Sequence, residues 1–150
     1  MTSPTPPDTL LVTGVISPES GKLTGVSFRA YFATRQEAAA FVARFPKSVR
    51  AQSMGLSGAP GVTGIAEISL NFSPNKATGA KNDASIARYA AVMRAVNKLG
   101  IRLVDRPQSY SNQLPDLAAI AQAVTELNKT PSAQLDREIA EALLRRGEKL

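Results

Sequence analysis

The stretch GKLTGVSFRAYFATRQEAAAF, residues 21–41, joins two kinds of hydrophobic pattern. In its first half, apolar side chains at every second position from Val26 to Phe32 alternate with polar ones, the period-two pattern of a strand with one buried face. In its second half, Thr34 and Glu37 have the spacing of a capping box, and an alanine-rich run favours a helix. The stretch therefore predicts a β-strand that leads directly into an α-helix.

Further strand patterns lie on both sides of this stretch. Leu10–Ile16 is rich in β-branched residues and is separated from Leu23–Phe32 by a turn-forming cluster, which predicts a β-hairpin. Val62–Phe72 alternates in the same way and is the clearest further strand. Two shorter strand candidates follow the first helix, at Val49–Ser53 and at the IRLV segment, residues 101–104.

Three further helices are predicted. Asp83 is positioned to cap a helix that runs to Leu99, and Gly100 is suited to end it. Two amphipathic helices follow within residues 111–150. Because the link between them is short, they are expected to form an antiparallel helical hairpin.

These elements predict an α+β fold, with an antiparallel, ferredoxin-like or related sheet backed by two helices and a C-terminal helical hairpin. The order within Leu23–Val104 is βαββαβ, which is the ferredoxin-like split. In that topology the first strand is central and already has a neighbour on each side. A hairpin with Leu10–Ile16 would compete for one of those places, so the strand order stays open.

The chain of 150 residues is expected to form three segments. Residues 1–8 are rich in proline and threonine and predict a disordered lead without the features of a signal peptide. Residues 9–110 form the α+β domain, and residues 111–150 form the helical hairpin, packed on the domain or on a partner. No apolar run approaches the ~18 residues that span a bilayer, so no membrane association is expected. The absence of cysteine favours a cytoplasmic location.

Catalytic residues are scarce. The chain has no His and no Cys, which excludes the Ser-His-Asp triad and makes zinc and iron–sulfur sites implausible. A magnesium-dependent enzyme would need paired acids, and nothing marks two of the four acidic residues of the central region as a pair; these are Glu37, Glu67, Asp83 and Asp105. We therefore predict a protein that is not an enzyme and that has no metal and no cofactor.

Positive charge is concentrated in the middle of the chain. The net charge is +6. Residues 20–110 contain thirteen Lys or Arg and four Asp or Glu, a balance of +9, whereas residues 111–150 carry −1 and residues 1–19 carry −2. A localised basic region is the electrostatic feature expected of a protein that binds a polyanion. A solvated, solubilising surface is the alternative.

Thr24–Tyr31 partly resembles the octamer of RNA-recognition motifs, whose aromatic side chains stack on bases. That register would place Arg29 in the core and Phe28 at the surface, whereas the alternation predicts the opposite facing. We therefore do not assign the chain to that family.

Two functions remain open. The first is a small non-enzymatic nucleic-acid-binding protein, for single strands in particular, that uses a basic sheet face and the adjoining loops. Its predicted contacts are Arg29, Tyr31, Arg50, Lys76, Lys81, Arg88 and Arg102, and Arg94 and Lys98 extend the same basic region. The second is a protein-interaction module, such as an adaptor, inhibitor or homo-oligomer, that works through the C-terminal helices of residues 111–150.

Overall fold

The computed structural model describes residues 4–16, 23–56, 60–72, 83–105, 113–114, 117–127 and 133–144. Eleven elements lie in these ranges, numbered here in chain order. They are β1 (Thr9–Ile16), β2 (Leu23–Phe32), α1 (Arg35–Ala43), a 3₁₀ helix (Lys47–Val49), β3 (Gln52–Gly55), β4 (Gly64–Asn71), α2 (Asp83–Leu99), β5 (Arg102–Asp105), β6 (Gln113–Leu114), α3 (Leu117–Leu127) and α4 (Ala133–Leu144).

The described strands form one mixed sheet in the order β3-β4-β2-β1-β5, with β6 paired to β1 beside β5. The predicted hairpin is confirmed, since β1 and β2 pair antiparallel with Val12 opposite Phe28. Strand β5 pairs with β1 and runs parallel to it, so that Leu10 lies beside Leu103. The α+β class is therefore confirmed, but the expectation of an antiparallel sheet is wrong at this edge.

The strand order resolves the competition that the sequence left open. In a ferredoxin-like sheet, β2 and β5 would be direct neighbours. In this sheet, strand β1 lies between them. Both β1 and β5 run antiparallel to β2, and this makes β1 and β5 parallel to each other. The extra strand widens the sheet by one position, and the wider sheet needs more helical cover.

The ends of the first two helices follow local chemistry. Thr34 is the N-cap of α1: its Oγ1 accepts a hydrogen bond from the N–H of Glu37 at 3.1 Å and donates one to the Glu37 carboxylate at 3.0 Å. Gly100, with φ of +69°, follows α2 as predicted. The strand predicted at Val49–Ser53 is displaced: a 3₁₀ helix occupies its start, and β3 begins only at Gln52.

The displacement of β3 has a backbone cause. Arg50 has φ of +57° and ψ of +43°, the left-handed conformation, and its N–H donates to the carbonyl of Lys47 at 3.1 Å. A residue in this conformation ends the 3₁₀ turn and cannot extend a strand. The chain therefore turns at Arg50 before it enters the sheet.

The helices cover one face of the sheet and enclose a single apolar core. Phe28 is fully buried on this face, and its ring centroid lies 6.3 Å from that of Tyr89 on α2. The rings of Phe32, Phe41 and Phe45 continue the same packing beside α1. This facing confirms the alternation predicted for β2.

The C-terminal helices pack on the rest of the chain. Helix α4 contacts α2, and the Asn97 amide donates to the backbone carbonyl of Glu138 at 2.9 Å and to its carboxylate at 3.0 Å. Helix α3 contributes Ile120 and Val124 to the main core and lies against β1, β2 and β5. The two helices thus cover the strip of sheet that β1 adds. Within the described ranges, no helix is long and apolar enough to cross a bilayer.

Candidate functional site

The sheet face opposite the helices carries little net charge. Arg29 lies on this face, and its Nε donates to the Glu67 carboxylate of the neighbouring strand at 2.7 Å. Among the described strand residues of this face, the other cation is Arg102, which lies on the edge strand β5. One neutralised arginine and one at an edge do not form a basic surface.

Part of this face is also buried. Strands β1 and β5 present Thr9, Leu11, Thr13 and Val104 to it, and each of these residues is at most 8% exposed. Leu11 and Val104 are not part of the main core, as expected for residues on the opposite face. The open, polar sheet face expected from the sequence is therefore restricted to the region of β3, β4 and part of β2.

Tyr31 lies at the end of β2 rather than on an open surface. Its backbone N–H donates to Thr5 Oγ1 and its carbonyl accepts from the Thr5 N–H, both at 2.8 Å. It is partly buried and lines a cavity of about 390 Å³ together with Pro7 and Phe41. Lys76 and Lys81, which precede α2 in the chain, lie outside the described residues.

Cations converge instead on the helical side of the molecule. A groove of about 450 Å³ runs between α2 and the segment that follows α1. Its cationic lining consists of Arg44, Arg94 and Lys98. Its apolar lining consists of Phe45, Pro46, Ala91, Ala95 and Leu99. The lining of the groove therefore combines apolar and cationic side chains.

Three more cationic side chains lie near the turn that follows Pro46. A second cavity, of about 420 Å³, shares Phe45 and Pro46 with the groove and is lined by Lys47 and Arg50. Arg88, one turn before Ala91 on α2, reaches the same turn, where its Nη2 donates to the carbonyl of Val49 at 3.1 Å. We call this set of side chains the basic band; it consists of Arg44, Lys47, Arg50, Arg88, Arg94 and Lys98.

Few acids offset the basic band. Arg44 pairs with Asp8 at 2.5 Å, and Arg94 lies 3.9 Å from the Glu138 carboxylate. No described carboxylate forms a salt bridge with the remaining four cations of the band. Burial, and next the charge of Arg50, lower the pKa of the Arg88 guanidinium. Like charges are thus held close together on this side of the molecule.

The basic band only partly matches the predicted contacts. Arg50 and Arg88 lie together in it, whereas Arg29, Tyr31 and Arg102 lie elsewhere, and a binding role for those three stays a prediction. Sequence reasoning missed Arg44 and Lys47. A local signal was present, because Arg44, Lys47 and Arg50 recur at every third residue around Pro46.

Within the described ranges, no group of three or more His, Cys, Asp or Glu side chains could hold a metal ion. No family model, curated protein or solved structure is similar enough to this chain to indicate its family or its activity.

Proposed function

We propose that this chain is a small, non-enzymatic, cytoplasmic protein that binds single-stranded nucleic acid through the basic band. The observation that carries the proposal is the clustering of six cations from two distant chain segments, residues 44–50 and 88–98: three line the groove, two line the cavity next to it, and Arg88 donates to the carbonyl of Val49. Only two of the six have a described carboxylate partner, so the band attracts anions. The contacts proposed here are therefore Arg44, Lys47, Arg50, Arg88, Arg94 and Lys98.

The shape of the groove favours a single strand over a duplex. At about 450 Å³ it has the size of a small-molecule site, which a duplex cannot enter. Its apolar lining residues Ala91, Ala95 and Leu99 can contact the apolar surface of a sugar or base, while its cationic lining residues contact phosphates. Phe45 is 8% exposed and offers little ring surface for stacking, so we expect weak sequence preference.

The alternative, an interaction module built on the C-terminal helices, has less support. The apolar residues of these helices that are described as buried belong to the core of this same chain; they are Ile120, Ala121, Val124, Ile139 and Ala142. Among the side chains of these two helices that the structure describes, the exposed large apolar one is Leu144, at 87%. The described surface of the two helices therefore does not favour a partner.

The test is fluorescence anisotropy with labelled single-stranded oligonucleotides across a salt series. For the double variant Arg94→Gln and Lys98→Gln, we expect at least about tenfold weaker binding and a salt slope reduced by about 1.4, since each phosphate contact on a single strand contributes about 0.7. The matched control is Arg35→Gln with Arg137→Gln. It changes the net charge equally, and both of its side chains are exposed and lie outside the groove.

Three results would contradict the proposal. Absence of binding, or affinity that salt does not change, would remove nucleic acid as the ligand. Equal weakening by the two double variants would show that net charge matters and that the groove does not. Equal competition by an unlabelled duplex would remove the preference for a single strand.

A further inference from the structure

Arg88 and Arg50 lie at the same turn of the chain, the end of the 3₁₀ helix. Arg88 is held there because its Nη2 donates to the carbonyl of Val49, the residue directly before Arg50. Arg50 is fixed by its left-handed backbone at the end of the 3₁₀ helix, and its side chain is exposed. Two chain segments that are distant in sequence therefore bring two guanidinium groups to the same turn.

No described carboxylate forms a salt bridge with Arg50 or Arg88. The described acids that form salt bridges lie elsewhere: Glu67 pairs with Arg29, Asp8 with Arg44 and Glu138 with Arg94. Two like charges side by side repel each other. One oxyanion bound between the two guanidinium groups would offset both charges.

We propose that Arg50 and Arg88 form a subsite for one phosphate group, and that this subsite prefers a terminal phosphate of a strand to an internal one. A terminal phosphate is a monoester with a charge of about −1.5 to −2 at neutral pH, whereas an internal phosphodiester carries a single charge. Guanidinium groups suit such a group because they donate two parallel hydrogen bonds to its oxygens.

The position of the pair fits the end of a strand. Arg88 precedes the groove residue Ala91 by one helical turn, and Arg94 and Lys98 lie further along α2. A strand whose internal phosphates contact Arg94 and Lys98 would place its terminus near Arg88. The phosphate subsite itself stands on the arginine pair alone, whereas the preference for a strand terminus rests on the proposed function.

The first experiment measures the Tm of the full chain in inorganic phosphate and in chloride at equal ionic strength. We expect phosphate to raise the Tm, and Arg50→Asn and Arg88→Gln each to remove the increase. Asn tolerates the left-handed backbone at position 50, so this exposed variant remains informative if Arg88→Gln fails to fold. The control Arg35→Gln should keep the increase. No increase in the natural chain, or an increase that survives in Arg50→Asn, would overturn the subsite.

The second experiment compares oligonucleotides of about ten nucleotides with a 5′ phosphate, a 3′ phosphate or neither. We expect one phosphorylated form to bind about tenfold more tightly than the unphosphorylated one, and Arg50→Asn to remove that difference. Equal affinities would overturn the terminal preference and leave the proposed function intact. A phosphate-dependent Tm without any oligonucleotide binding would support the subsite and contradict the proposed function.

Discussion

At the scale of single residues, Tyr89 shows how burial makes stability depend on pH. It is 2% exposed, and its ring lies between those of Phe28 and Phe72, with both pairs of centroids 6.3 Å apart. This burial raises the pKa of the Tyr89 phenol above its ordinary value. Above about pH 10 the unfolded chain therefore loses this proton while the folded chain retains it, and stability falls as the pH rises.

The variant Tyr89→Phe should remove this contribution. In the natural chain, Tyr89 makes the free energy of unfolding fall by up to about 1.4 kcal/mol per pH unit above pH 10. We expect a shallower alkaline decline for Tyr89→Phe, measured by urea unfolding from about pH 9 to about pH 11. Lysines titrate in the same range in both proteins and cancel in the comparison. Parallel declines would show that the phenol is not protected in the folded state.

Gly64 is a residue whose size the backbone of the fold restricts. A Cβ at this position of β4 would overlap the carbonyl of Thr34, the N-cap of α1. Because its φ is not positive, the restriction is one of space rather than of backbone conformation. We expect Gly64→Ala to lower the free energy of unfolding by about 1–3 kcal/mol, measured in urea. The control Gly25→Ala meets only the Leu70 carbonyl, at 3.2 Å, and should lose less; equal losses would contradict this account.

At the scale of elements, local sequence patterns predicted which helices and strands form but not the position of each strand in the sheet. The hairpin, the capping box at Thr34, the helix from Asp83 to Leu99 and the facing of Phe28 follow from neighbouring residues in the chain. The place of β5 does not, since an edge strand of four residues can pair with β1 or β2 with similar local preferences. What decides it is non-local: β1 already occupies the edge of β2.

The candidate site was predictable to a similar extent. The spacing of Arg88, Ala91, Ala95 and Lys98 places them on one face of α2, and the helical pattern alone shows this. Lys47 and Arg50 lie across from this face because of the 3₁₀ turn and the left-handed backbone of Arg50. No periodic pattern in the sequence predicts that Lys47 and Arg50 lie near α2. The sequence therefore indicated a basic region but predicted its centre on the sheet.

At the scale of the whole molecule, the C-terminal helices join the fold instead of standing apart. Ile120 of α3 is 1% exposed and lies in the same core as Val12 and Phe28, although it is distant from both in the chain. Because β1 widens the sheet, removing this cover would uncover the apolar faces of β1 and β5. The molecule should therefore unfold in one cooperative transition.

The variant Ile120→Ala tests this cooperativity. Truncating a buried isoleucine should lower the free energy of unfolding by about 2–5 kcal/mol, and the loss should reach every element that shares the core. Hydrogen exchange is the measurement that separates the elements, because the amides of β1 and β2 should lose protection together with those of α3 and α4. The exposed control Leu144→Ala should change stability by no more than about 0.5 kcal/mol. If exchange accelerated in α3 and α4 alone, the helices would be a separate unit, and the single core would not describe the molecule in solution.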